Sequence, residues 1–213
     1  VDTGFIVYNH RTYPLFTRLL EILGVATQPS DMSFSFRDDG ANFEYGAPEP
    51  WRLFAQPSTL FRSSFHRMLR AILRFYREAA AWLDDAEDGV TLEDFLTAGR
   101  YSREFVESHL YPVCAAIWSS PHAKMGEYPA AALFRFFRNH GLLSLTDRPR
   151  WRTITGGSRR YVEKLTAPFR DRIRTGAPVT RVDRDDSGVT IHTPGGEPQR
   201  FDQVVLACHP DQA

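Results

Sequence analysis

The sequence predicts a mixed architecture, α+β to α/β, and three observations carry that expectation. A long middle stretch, from residue 57 to residue 141, places apolar residues at helical spacing. Shorter stretches that alternate with period two or hold unbroken apolar runs bracket it on both sides. The last third runs in the order strand, glycine turn, helix, short strands and apolar strand, which is how a β-meander feeds back into a sheet covered on both faces.

Residues 1–7 form a short, mostly apolar, extended segment in which Gly4 lets backbone come close to something flat. A plain core strand with a routine glycine fits the same residues. Phe16, Leu19, Leu20 and Leu23 repeat at helical spacing over 13–23, with Pro14 tolerated in the first turn and Gly24 placed as the terminator. Residues 32–36 and 42–45 alternate across Asp38-Asp39-Gly40 and predict a β-hairpin with aromatics on one face.

One long helix is expected over 57–83, its apolar stripe including Leu60, Phe61, Phe65, Met68, Ile72, Phe75 and Tyr76. Arg67, Arg70, Arg74 and Arg77 share one face of it. That face suits an anionic membrane surface, or it is the solvated side of a packed helix. Thr91-Leu92-Glu93-Asp94 has the pattern of a capping box, and Ser102 starts another helix in which Pro112 predicts a kink or break. Pro129 and Gly141 bound a further helix. Trp118, Phe134, Phe137 and His140 either line an apolar cavity there or belong to the core.

Thr153-Ile154-Thr155 is β-branched and short, Gly156-Gly157 can take backbone angles closed to other residues, and Ser158 can cap a helix from Arg159. Tyr161, Val162 and Leu165 make its apolar stripe. Residues 178–182 and 189–193 then read as a hairpin across Asp186-Ser187-Gly188. After Pro194-Gly195-Gly196 the run 201–207 is apolar enough for a buried strand.

The 213 residues suffice for one full domain or two packed ones. Lys+Arg and Asp+Glu both number 26, so no global charge points to nucleic acid. Cys114 and Cys208 form no CxxC pair and no zinc-like spacing accompanies them, so no metal site is expected and a cytoplasmic setting is the default, with peripheral contact at the inner membrane face left open by the arginines. No apolar run reaches 18 residues. His109, His122, His140 and His209 are acid–base candidates by residue type alone, and no neighbour singles one out.

Thr155-Gly156-Gly157-Ser158 through Val162, then Pro178-Val179, then Val204-Val205-Leu206-Ala207, together with the opening Val1-Asp2-Thr3-Gly4-Phe5-Ile6-Val7-Tyr8, resemble the flavin amine oxidase superfamily. That superfamily includes monoamine oxidases, phytoene desaturases and protoporphyrinogen oxidases. Within it the chain is most similar to a bacterial group of NAD/FAD-binding oxidoreductases. A dinucleotide-binding turn of the form GxGxxG does not occur in the sequence. In the family it lies upstream of the segment matched by residues 1–8, so the resemblance implies a central fragment.

The resemblance implies a partial FAD-binding domain of glutathione-reductase type built from residues 1–30 and 148–213. Residues 31–147 would form a mainly helical substrate domain with a small antiparallel sheet. The implied cofactor is FAD in the full-length protein. Its contacts would be Gly4 and Tyr8 at the isoalloxazine, Gly156 and Gly157 at the turn before the flavin-domain helix, the main chain of Val179 at the adenine, and Ala207 at a strand end. The implied reaction is hydride transfer to flavin from a C–H bond next to an amine or in an apolar, lipid-like small molecule, with no catalytic side chain assigned. The alternative is a non-catalytic membrane-surface or protein-interaction module that uses the basic helix over 57–83.

Overall fold

The computed structural model describes residues 2, 6–47, 50–146, 148–209 and 211–213. Gly4, one of the residues expected at the flavin, lies outside them. The chain divides into a unit from Val1 to Lys164 and a unit from Leu165 to Ala213.

In the first unit, α1 (Pro14–Ile22) starts on a proline, as its sequence demands, and Gly24 follows it at φ +58°, a left-handed angle. The Lys164 ammonium donates to the carbonyls of Leu23 (3.0 Å) and Gly24 (2.6 Å), supplying a charge that the helix C-terminus favours. Strand β1 (Thr27–Pro29) is followed by the aromatic hairpin, β2 (Phe34–Asp38) and β3 (Phe43–Ala47), antiparallel with Phe36 opposite Tyr45. The short α2 (Pro50–Leu53) comes next.

The helix expected over 57–83 is two elements. A 3-10 turn, Pro57–Phe61, precedes α3 (Ser63–Trp82), and Arg62 between them is extended. Its guanidinium donates to the carbonyls of Ala41 and Asn42 and lies 6.0 Å from the Phe43 ring centroid. Arg62 is thereby committed to the hairpin turn, a demand that helical periodicity cannot reveal, and Phe61 is left 91% exposed. Within α3 the buried residues are Phe65, Met68, Ile72, Phe75 and Ala79, at alternating steps of three and four. That spacing keeps one stripe on the core.

Helix α4 (Leu92–Ala98) has the expected capping box, with Thr91 and Asp94 each accepting from the other's backbone. Ser102 caps α5 (Arg103–Phe105), which runs into a π-helical turn at Val106–Leu110 and then α6 (Tyr111–Trp118). Pro112 has no N–H to give the carbonyl of Ser108 four residues back. The Tyr45 hydroxyl donates to that carbonyl instead, at 2.9 Å. Helix α7 (Ala130–Asn139) and the short β4 (Arg152–Ile154), antiparallel to β1, lead to α8 (Arg159–Thr166). The main core gathers around α3, with Phe105, Leu133, Phe134 and Phe137 fully buried against it. A smaller cluster holds Tyr8, Leu20 and Ile154.

The second unit holds an antiparallel meander, β5 (Arg181–Asp185), β6 (Gly188–His192) and β7 (Gln199–Phe201). The first strand starts three residues later than the sequence suggests. The closing strand expected over 201–207 is reduced to β7: residues 203–207 have no ladder among the described residues, and Val205 is 88% exposed. An apolar run becomes a strand only where neighbouring edges take up its amides and carbonyls.

Candidate functional site: the Tyr8 to Arg152 bridge and the glycine turn

The backbone of Tyr8 exchanges two hydrogen bonds with Arg152, N to O at 2.9 Å and O to N at 2.8 Å. Thr153 adds a hydroxyl bond to the carbonyl of Ile6 (2.9 Å), so residues 6–8 run along β4. The Tyr8 ring is 3% exposed and packs edge-on against Phe16, which packs edge-on against Tyr161 of α8. Tyr8 therefore fixes this segment both through its ring and through its main chain, whose N–H and carbonyl are taken by Arg152.

Strand β4 ends in the glycine turn. Gly156 and Gly157 sit at φ +81° and +89°, angles at which any side chain is strained. A Cβ on Gly157 would lie 3.4 Å from the carboxylate of Asp2. That carboxylate accepts from the Ser158 backbone N–H at 2.9 and 3.1 Å and from its hydroxyl at 3.3 Å. The Ser158 hydroxyl thus donates to a more remote cap. A charge from residue 2 serves the N-terminus of α8, where the peptide dipoles favour an anion. Sequence reasoning missed Asp2 because only the three-dimensional return of the chain brings it to the helix.

An Asp2→Ala variant is expected to lose about 1 kcal/mol of stability, with Asp2→Asn losing less because one amide oxygen still accepts. Amide exchange at Ser158 is the direct check: it should accelerate in Asp2→Ala before exchange in the α3 core changes.

Tyr8, Gly156 and Gly157 share one unit, tied together through β4. Val179 and Ala207 belong to the other. Val179 is half-exposed just before β5, and among the described residues its amide and carbonyl have no partner, whereas the next residue, Thr180, already donates to His192. Ala207 is exposed outside any strand.

The aromatic residues weighed as a cavity lining divide. Phe134 and Phe137 are core. Trp118 is half-buried against Phe136 and Tyr128. His140 stacks on Phe136 at 3.9 Å between centroids. Its Nδ1 lies 2.8 Å from the Phe136 carbonyl, which can only accept, so Nδ1 carries the proton and Nε2 accepts from the Tyr13 hydroxyl at 3.0 Å. Both ring nitrogens are engaged with protein. His109 is buried, and desolvation pushes its pKa down to about 4. Burial pushes the Cys114 thiol up to about 12, which makes it inert. Among the described residues no cluster of His, Cys, Asp or Glu could hold a metal ion.

The arginine face of α3 is partly used by the protein itself. Arg67 pairs with Glu104, while Arg74 donates to the Gly99 carbonyl at 2.7 Å and lies 3.9 Å from the Tyr101 ring centroid. Those contacts account for two of the four arginines without a membrane. No described helix is long and apolar enough to cross one.

The fold is similar to that of putrescine oxidase in its wild-type structure with bound putrescine, at a TM-score of 0.67 and 18% identity, over 99% of this chain and 48% of that one. It is similar also to cyclohexylamine oxidase from Brevibacterium oxydans IH-35A, at a TM-score of 0.61 and 20% identity, over 95% of this chain and 45% of that one. The chain thus spans about half the length of these structures. No curated protein sequence matches it. The family described as flavin containing amine oxidoreductase matches residues 1–213 without interruption. The chain belongs to the flavin-containing amine oxidoreductase family.

Proposed function

We propose that this chain is part of an FAD-dependent, amine oxidase-like oxidoreductase that takes a hydride from a C–H bond next to an amine, or in an apolar substrate. The observation that carries this reading is the family match along the whole chain. When bound, the flavin supplies the hydride acceptor, and the polypeptide contributes position and exclusion of water.

Residues 1–30 and 148–213 would hold the coenzyme, and residues 31–147 the substrate. The main chain around Tyr8 borders the ring system in this reading, with Gly4 in the same segment. The unpartnered amide and carbonyl of Val179 suit an adenine edge, which presents a donor beside an acceptor. Ala207 leaves room for close approach. Gly156 and Gly157 let the chain turn tightly beside β4. The N-terminus of α8 does not suit the pyrophosphate, because the Asp2 carboxylate already takes the Ser158 amide. No side-chain base is assigned, since His140 has both nitrogens engaged and His109 is buried.

The test is the absorption spectrum of the complete gene product. Flavin bands that bleach under anaerobic conditions on adding an amine or an apolar substrate are the expected result. A protein that stays colourless after reconstitution with FAD would overturn the reading.

A further inference from the structure

Between Pro50 and Arg77 the sequence holds no Asp or Glu but six arginines, Arg52, Arg62, Arg67, Arg70, Arg74 and Arg77. The same stretch leaves Trp51, Leu60, Phe61 and Leu73 exposed, Phe61 at 91%. Folding has not neutralised the charge either. Arg67 pairs with Glu104 and Arg74 approaches Glu78 at 3.4 Å. Arg62 donates to backbone carbonyls, and Arg70 and Arg77 make no ion pair among the described residues. Exposed apolar side chains set among uncompensated cations suit a partner that is both apolar and anionic.

The fold sets these residues in one line. The His66 ring donates from Nε2 to the Leu60 carbonyl at 2.7 Å, which holds the end of the 3-10 turn against α3. From His66 the outward side of α3 continues in steps of three and four through Arg70, Leu73 and Arg77, away from the buried stripe of Phe65, Met68, Ile72 and Phe75. Leu60 and Phe61 therefore stand at the N-terminal end of a cationic, partly apolar face. Beyond the other end of α3, Asp84 and Asp85 are exposed. Helical rise puts them about 20 Å from Arg70, more than two screening lengths at physiological salt. An anionic surface repels those carboxylates, so the N-terminal half of α3 is the part that approaches it.

We infer that this face docks peripherally on an anionic lipid bilayer, with Leu60 and Phe61 entering the head-group layer and Arg70 set against lipid phosphates. Phe61 protrudes rather than lining a groove, and a bilayer takes up a protruding ring beside a guanidinium without needing a shaped pocket. Each arginine near such a surface adds to binding through the surface potential. The face lies within residues 31–147, the part assigned above to the substrate, so docking brings that part to the lipid. The inference needs no coenzyme and stands whether or not the protein holds flavin.

The complete gene product is sedimented with vesicles of equal parts phosphatidylcholine and phosphatidylglycerol, and separately with phosphatidylcholine alone. The expected result is binding to the anionic vesicles only, lost at high salt and weakened about fivefold in Arg70→Gln and by a similar factor in Phe61→Ala. Arg135→Gln should bind as the wild type does, because Arg135 is exposed on α7, which packs on the buried side of α3 through Phe134 and Phe75. Unchanged far-ultraviolet circular dichroism of the variants excludes unfolding as the cause. Equal sedimentation with both kinds of vesicle or with neither, or full binding by Arg70→Gln or Phe61→Ala, would overturn the inference. So would a protein that ignores vesicles but binds a polyglutamate peptide through Arg70, which would point to an acidic protein as the partner.

Discussion

Replacing Phe134 by alanine is expected to destabilise the first unit by about 3–5 kcal/mol, the range for removing a buried aromatic ring from a packed core. The ring is 0% exposed. It meets Phe95 at 4.8 Å, Phe75 at 5.4 Å and Trp82 at 5.6 Å between centroids, all nearly edge-on. These partners lie on α3 and α4, so Phe134 on α7 joins three helices. Edge-to-face pairs contribute beyond area burial, and alanine leaves a cavity that three helices cannot all collapse into. Urea denaturation should show a lower midpoint with an unchanged slope. The matched control is Phe61→Ala, whose ring is 91% exposed and whose loss should fall within about 0.5 kcal/mol. Equal effects at the two positions would contradict the core described here, and so would a Phe134→Ala loss below about 1 kcal/mol.

That contrast also shows what local pattern can and cannot reveal. Both phenylalanines fall on apolar repeats, yet one is core and the other surface, because Arg62 leaves the helical path to serve the turn of the β2–β3 hairpin. Features set within a few residues were legible: the period-two hairpin, the Thr91–Asp94 box, Pro14 and Gly24 at the ends of α1, and the Gly156-Gly157 turn. Features set by distant partners were not. Asp2 reaches α8 across the length of the first unit, and Pro112 frees a carbonyl that Tyr45 claims. Residues 203–207 have the composition of a strand, but composition cannot supply the neighbours that a strand pairs with. The positions expected at the coenzyme, Gly4, Tyr8, Gly156, Gly157, Val179 and Ala207, came from the resemblance alone. The fold adds that the Tyr8 backbone is taken up by Arg152 and that Asp2 occupies the helix end beside the turn.

Acid should weaken the same unit through His109. The one proton on the Tyr45 hydroxyl goes to the Ser108 carbonyl, so the 2.8 Å contact between that hydroxyl oxygen and His109 is made by an Nδ1–H of the ring donating. The imidazole is enclosed beside the Phe34 and Phe105 rings, and burial lowers its pKa from 6.5 to about 4, so the folded chain holds it neutral at pH 7. Between those values the unfolded chain binds a proton that the folded chain refuses, so stability falls as pH falls through this window and is restored above it. At about 1.36 kcal/mol for each pH unit, the loss approaches roughly 3 kcal/mol by pH 4, below which both states are protonated and the His109 contribution levels off. Carboxylates with lowered pKa values, Glu104 beside Arg67 among them, add their own acid sensitivity, so the comparison must be with a variant. His109→Asn keeps an N–H donor at the Nδ1 position for the Tyr45 oxygen but has no proton to gain. The wild type should therefore lose stability relative to this variant as the pH of urea denaturation drops from 7.5 to 4.5, and the two should run parallel above pH 7. Parallel curves over the whole range would mean that the His109 ring reaches water, and the packing of β3 against the π-helical turn would need to be redrawn.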